Sequence, residues 1–202
     1  MAELEFFFDC SSPWTYLAFS QVEALAERTG ARINWKPILV GGVFNAVNQS
    51  VYEQRASPVP AKAKYHVKDL ADWARHYGIV INWPSDFPVR AVDAMRGAIV
   101  AHDQGRLPAY ARRCFEAYWG EDRDISQQDV LEDIAANAGL DTEGFWHQVK
   151  SDDVKARLIA NTEELIRRGG FGSPTMFVGG DDMYFGNDRL ELVEAALGQS
   201  RA

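Results

Sequence analysis

Cysteine is nearly absent from this chain of 202 residues: there are two, Cys10 and Cys114. That is too few for a disulfide scaffold, and their separation excludes a Cys-x-x-Cys motif. The four histidines (His66, His76, His102, His147) show no HExxH and no Cys/His ligand spacing, so no metal centre is expected. There is no Walker-type phosphate loop, and the glycines of Gly169-Gly170-Phe171-Gly172 lack the third glycine of a dinucleotide fingerprint. No apolar run reaches the length of a membrane-spanning helix. The N-terminal stretch MAELEFFFDCSSPW has acids at Glu3, Glu5 and Asp9 and no basic region, so no secretory signal is read there and a cytoplasmic location is expected. Positive charge is also short, with 21 Lys and Arg against 29 Asp and Glu and a net charge of −8. Residues 121–153 carry the whole excess, ten acids against Arg123 and Lys150, as one solvated acidic face. Nucleic acid, which requires a basic stripe, is therefore not an expected partner. The electroneutral remainder can still hold a small anion.

What is present is globular in character. Hydrophobic residues make up 47% and charged residues 25%, close to an average folded domain. Residues 3–8 (ELEFFF) form a continuous apolar run that reads as a buried strand. Ser12-Pro13 then supplies an N-cap and a first-turn proline, and Trp14, Leu17, Ala18, Val22 and Leu25 make one apolar helical face closed by Gly30. Residues 31–38 read as a second strand, completing a βαβ unit. Residues 40–60 read as irregular, with Gly41-Gly42, Pro58 and Pro60. Helices are expected over 62–77, 89–103 and 107–119, then from Ser126/Asp129 to Gly139, from an Asp141 cap, and from Ser151 to Arg168. Thr175–Val178, a Gly179-Gly180-Asp181 turn and Met183–Phe185 read as a hairpin, and Asp188 with Glu191 as a capping box for a last helix ending at Gly198. A βαβ unit at one end and a ββα unit at the other is the thioredoxin layout. The expected fold is thus α/β, a thioredoxin-like domain built from 1–45 and 169–202 with an all-helical domain, 46–168, inserted between the halves.

The strand-to-helix corner at Ser12-Pro13-Trp14-Thr15 carries the chemistry. A helix N-terminus has free N–H groups and a favourable dipole for negative charge. In thioredoxin-like redox proteins this place holds Cys-Pro-x-Cys, whose first thiol is acidified. Here oxygen stands at both positions, Ser12 and Thr15, so that disulfide cannot form. A hydroxyl there can instead donate to the thiolate of a bound molecule. Lowering a thiol pKa from about 8.5 to about 6.5 needs roughly 2.7 kcal/mol. A helix N-terminus supplies roughly 0.3–1 kcal/mol, up to ~2 when partly buried, and a hydrogen bond to a charged acceptor about 1.5–3 kcal/mol. Together they suffice without a metal. Read locally, Ser12 is an N-cap and nothing more, as most serines in this place are.

The segments FFFDCSSPWTYLA (6–18), KAKYHVKDLADWARHYGI (62–79), FEAYWGEDRDI (115–125), FGSPTMFV (171–178) and FGNDRLELVEAALG (185–198) span the chain. In them it resembles the 2-hydroxychromene-2-carboxylate isomerases and the related kappa-class glutathione transferases, of the DsbA-like branch of the thioredoxin superfamily. The resemblance implies glutathione as cofactor, with Ser12 facing its sulfur. It implies a cis Pro174 beside the bound tripeptide and a backbone pairing of the glutathione cysteine with Ser173, where many relatives carry Val or Leu. It puts Asn187 and Asp188 at the γ-glutamyl end, and Asn48 and Lys62 at further glutathione contacts. Each has a plainer reading: Pro174 and Asn187 as turn residues, Asp188 as a helix cap, Lys62 as a solvated cation. Trp14, Tyr118, Trp119 and Phe185 are either core or the lining of an aromatic pocket. Arg90 is a candidate for the substrate carboxylate.

The function so implied is glutathione-dependent isomerisation of 2-hydroxychromene-2-carboxylate to trans-o-hydroxybenzylidenepyruvate in aromatic degradation. Ser12 is then the catalytic residue, the substrate a small aromatic carboxylate, and the protein a homodimer like its relatives. A kappa-like transferase or peroxidase and a non-catalytic thioredoxin-like binding module stay open beside it. The Gly-Asn-Asp-Arg form at 186–189 and the Trp119-Gly120-Glu121 run lean toward the isomerase.

Overall fold

Strand β1 (Glu3–Phe8) lies inside a four-stranded sheet of order β2-β1-β3-β4. It pairs parallel with β2 (Arg32–Pro37) and antiparallel with β3 (Thr175–Val178), which in turn pairs antiparallel with β4 (Asp182–Phe185). The computed structural model describes residues 2–199. Because side chains alternate along a strand, Leu4, Phe6 and Phe8 face one layer while Phe7 faces the other with Phe177 and Leu165. Both faces are covered over Phe6–Phe8, which is why that end of the strand is continuously apolar, while Glu3 and Glu5 are half-buried and pair with Arg32 and Arg168. Helix α1 (Pro13–Thr29) joins β1 to β2 and ends on Gly30 at φ 55°, a left-handed cap.

The helical segment between β2 and β3 begins with α2 (Val40–Val47) and α3 (Ser50–Ala56), where the sequence reads as irregular. Local signals are weak because the N-cap position, Leu39, has no capping side chain. The start of α2 is fixed from a distance instead: Asp9 Oδ2 accepts the Val40 N–H (2.8 Å) and Thr162 Oγ1 the Leu39 N–H (3.0 Å). There follow α4 (Pro60–Tyr77), α5 (Val92–Asp103) and α6 (Leu107–Phe115). The expected helix over 107–119 changes pitch in its last turn, where Glu116–Gly120 is a π-helical turn. Asn82 donates its N–H to the Trp119 carbonyl (2.7 Å) and its amide to the Gly120 carbonyl (2.9 Å), pinning the 79–91 loop to that turn.

Helices α7 (Gln128–Asn137), α8 (Phe145–Val149), α9 (Asp152–Arg167) and, after the hairpin, α10 (Leu190–Gln199) complete the chain. Ser151 caps α9 as expected, accepting the Val154 N–H. Three other expected caps do not form. The Ser126 N–H is taken by Asp124 (2.8 Å), so α7 opens at Gln127 without a side-chain cap. Asp141 closes a tight turn onto the Glu143 N–H (3.0 Å), and Gly144 precedes α8. Asn187–Arg189 is a short 3₁₀ turn, so Asp188 and Glu191 make no capping box.

The outcome is the thioredoxin-like arrangement with a helical insertion. Sheet and insertion share one core: Leu4, Phe6 and Phe8 of β1, Phe19 of α1 and Tyr110, Phe115 and Trp119 of the inserted segment belong to a single buried cluster. Among the described residues no helix is long and apolar enough to cross a membrane. Helix α5 packs closely on α6 at Gly97. A Cβ on Gly97 would lie 2.1 Å from the Tyr110 hydroxyl and 3.1 Å from the Phe145 ring, both buried. Gly97→Ala is expected to cost about 1–3 kcal/mol of stability; a lowered urea midpoint at unchanged m-value checks it.

Candidate active site

The corner between β1 and α1 is held by its own side chains and by elements remote in sequence. Ser12 is the N-cap of α1, with extended backbone (φ −104°, ψ 122°), and its Oγ accepts the Thr15 N–H at 3.3 Å. Pro13 has no N–H, and the Tyr16 N–H goes to the Ser12 carbonyl. The Trp14 N–H is thus left without an intrachain acceptor among the described residues. No acid stands in the first turn. A half-buried helix N-terminus with a free donor and a free dipole is the result.

The Ser12 hydroxyl donates across to the Ser173 carbonyl at 3.2 Å. The Ser173–Pro174 peptide is cis, as the resemblance implies; Phe87–Pro88 is a second cis bond with no sequence signal. Ser173 is where the chain departs from many relatives, and its side chain points inward. Its Oγ accepts the Asp9 N–H (3.0 Å) and lies 2.7 Å from the Thr15 hydroxyl, all of it buried. Ser173 and Thr15 therefore form one satisfied polar pair, and the departure does not alter the surface offered to a ligand.

Asp9 is buried beneath the corner. Burial pushes its carboxyl up, against the pull of the Val40 N–H, the Ser11 N–H and the Ser11 hydroxyl, which all donate to it. Cys10 is fully buried in contact with Cys114; burial first, then the neighbouring thiol and Asp9, push its pKa well up. The two cysteines are distant in sequence and adjacent in space, yet neither is exposed.

Most of the other expected site residues lie around this corner. The Pro174 carbonyl accepts the Gly186 N–H (3.1 Å), which brings Asn187 and Asp188 up behind the cis-proline loop. Gly186 has φ 102°, and a Cβ there would come within 2.7 Å of the Asp188 carboxylate, so glycine is required. Asn187 is buried, its amide nitrogen has no partner among the described residues, and its side chain lies beside the Tyr77 phenol of α4. Asp188 is exposed and pairs with Arg189. Asn48, at the end of α2, donates to the Phe171 carbonyl at 3.0 Å, tying α2 to the loop before Ser173. Lys62 is exposed in the first turn of α4, one helical turn before His66, whose ring packs edge-on against Trp14 at 4.9 Å.

The four aromatic candidates do not line one pocket. Tyr118 and Trp119 are core residues, and the Trp119 indole donates to the Cys10 carbonyl at 2.9 Å. Trp14 meets α4, and Phe185 packs on Phe171 at 4.5 Å. Arg90 is exposed in the 79–91 loop. Among the described residues no three His, Cys, Asp or Glu side chains are grouped to hold a metal ion.

Comparison with known proteins decides the family. Residues 3–198 match the family model of the DsbA-like thioredoxin domain. The 2-hydroxychromene-2-carboxylate isomerase of Pseudomonas putida is 32% identical over 97% of this chain and 94% of its own. A solved structure of a 2-hydroxychromene-2-carboxylate isomerase superposes with TM-score 0.84 at 30% identity, covering 98% of this chain and 96% of that one. The chain belongs to the 2-hydroxychromene-2-carboxylate isomerase family. Glutathione S-transferase kappa 1 of Rattus norvegicus is a more distant relative, 26% identical over 97% of this chain and 91% of its own.

In this family member, sequence reasoning missed Asp9, Tyr77 and the Thr15–Ser173 pair. Only the last had a signal, a polar residue before the proline. Ser173→Val leaves the buried Asp9 N–H and Thr15 hydroxyl unpaired, at an expected cost of about 1–3 kcal/mol. The double variant with Thr15→Val should lose less than the sum of the two single changes, which a denaturation double-mutant cycle measures. The native protein should not react with a thiol reagent such as DTNB, and both cysteines should react once it is unfolded.

Proposed function

We propose that the protein is a glutathione-dependent isomerase that converts 2-hydroxychromene-2-carboxylate to trans-o-hydroxybenzylidenepyruvate. The carrying observation is the Ser12 hydroxyl, held at the N-terminus of α1 and turned to the carbonyl before the cis-proline. The names of the relatives support it, isomerases of this substrate on one side and glutathione transferases on the other.

In this reading the glutathione cysteine pairs through its backbone with Ser173. Its N–H would compete for the Ser173 carbonyl, to which the Ser12 hydroxyl donates. Ser12 is thereby released to donate to the incoming sulfur, beside the free Trp14 N–H. The bond given up is long for an O–H donor, 3.2 Å, and a thiolate is a charged acceptor. Asn187 and Asp188 receive the γ-glutamyl end, where the unpartnered Asn187 amide gains an acceptor. Asn48 and Lys62 add contacts, Lys62 as a cation for a tripeptide carboxylate.

When bound, glutathione would supply a thiolate for reversible addition to the conjugated carbon of the substrate, chemistry that changes no oxidation state and consumes no thiol. The N-terminus of α1 and the Ser12 hydroxyl would hold the negative charge of the sulfur, while Ser173, Asn187, Asp188, Asn48 and Lys62 would orient the tripeptide.

Ser12→Ala is expected to lower turnover at least tenfold while free thiol stays constant through the reaction; absorbance and a thiol titration read both. Turnover without glutathione, or an unchanged Ser12→Ala rate, would end this reading. A falling thiol concentration would favour the kappa-like transferase.

A further inference from the structure

A chromene carboxylate needs a cationic or N–H-rich partner for its acid group, and the assignment of that partner rests on the isomerase reading. Arg55 sits in the last turn of α3, a helix with no buried residue. Its guanidinium lies 5.7 Å from the Phe44 ring centroid and 5.4 Å from that of Phe87. These rings belong to two walls, each anchored on the β1–α1 corner by its own bond. Phe44 is on α2, which hangs from Asp9 through the Val40 N–H. Phe87 is on the 79–91 loop and packs against Trp119 at 6.1 Å, whose indole holds the Cys10 carbonyl. Trp83 extends this second wall outward, 4.7 Å from Phe87 and 6.2 Å from Trp119, and is 55% exposed.

Arg55 thus bridges two elements, α2 and the 79–91 loop, that are each tied to the corner carrying Ser12. Among the described residues no carboxylate pairs with it, whereas most arginines of the chain are ion-paired, among them Arg28, Arg113, Arg123, Arg157 and Arg168. Arg55 is exposed, with both rings within cation–π reach of its guanidinium, and its N–H groups carry no hydrogen bond among the described residues, which leaves them open to a planar, bidentate acceptor. Arg90, in the same loop as Phe87, has neither a ring nor a carboxylate against it among the described residues.

We propose that Arg55, bridging Phe44 and Phe87, is the carboxylate-binding residue of the substrate subsite, taking a planar aromatic 2-oxo or 2-hydroxy acid whose ring lies along Phe87 and Trp83. Arg55 supplies orientation: with the acid group fixed, the conjugated carbon is presented to the sulfur beside Ser12. A lysine would supply charge without the fork.

The test uses the acid and its methyl ester. For Arg55→Gln with the chromene carboxylate at saturating glutathione, KM should rise at least tenfold, with kcat changed less than KM. The ester KM should stay within twofold of wild type. Arg55→Lys should fall between. Calorimetric glutathione affinity and thermal midpoint should stay at wild-type values, as a substrate-carboxylate role requires. Equal losses for acid and ester would make Arg55 a strut between α3 and the loop and overturn the proposal, as would an unchanged acid KM. Binding is read independently of turnover by tryptophan quenching with trans-benzylidenepyruvate, for which Arg55→Gln should bind at least tenfold more weakly than wild type. If wild type does not turn over the chromene but this difference holds, the isomerase reading falls and the subsite stands. If the difference is absent, the subsite falls whatever the turnover.

Discussion

A strand buried on both faces has to turn into a helix without leaving a polar group unsatisfied, and this constraint at the end of β1 organises the molecule. An unpaired polar group inside costs as much as several good contacts contribute. The corner therefore draws partners from across the chain: Ser173 for the Asp9 N–H, Trp119 for the Cys10 carbonyl, Val40 for the Asp9 carboxylate. Each of these bonds fixes a separate element, namely the cis-proline loop, the π turn and α2. The Trp14 N–H and the Ser12 hydroxyl lie at the half-buried rim of this corner, and there the protein can offer hydrogen bonds to something other than itself. Site and scaffold are in this sense one network.

Loss of both motif sulfurs changes what the helix N-terminus can do, without moving it. Thr15, at the second position, is fully buried and bonded to Ser173, so it serves the scaffold. Ser12, at the first, keeps a donor at the surface. The protein's own thiols are withdrawn into the core, where burial suppresses the thiolate. A nucleophilic sulfur at this corner must accordingly arrive with a ligand. Several acids of 121–153 are engaged locally, as Asp133 with Arg123 and Asp122 with Ser85, while no acid stands in the first turn of α1 and no carboxylate among the described residues pairs with Arg55.

Much of this was legible because the local signals agree with the tertiary ones. Ser12-Pro13 and Gly30 bound α1 by local capping rules, Ser151 caps α9, and the Gly179-Gly180 turn makes the hairpin that follows β3. The candidate residues Ser12, Ser173, Pro174, Asn187 and Asp188 came from the resemblance, and they stand at element ends around one corner. Expectations failed where a distant group replaced a local one. Helix α2 starts on a carboxylate 31 positions away, the Ser126 N–H prefers Asp124, and the 3₁₀ turn at Asn187–Arg189 displaces the capping box.

The sequence by itself determined the order of elements, the oxygen-for-sulfur exchange at Ser12 and Thr15, and the acidic stretch, because these follow from side-chain period, residue chemistry and charge along the chain. Only the tertiary structure decided that the Ser173 side chain turns inward, that Cys10 meets Cys114 inside the core, and that Arg55 reaches from a helix with no buried residue to lie between Phe44 and Phe87. Those outcomes depend on which groups packing brings within a few ångströms of each other, and no spacing along the chain encodes that distance.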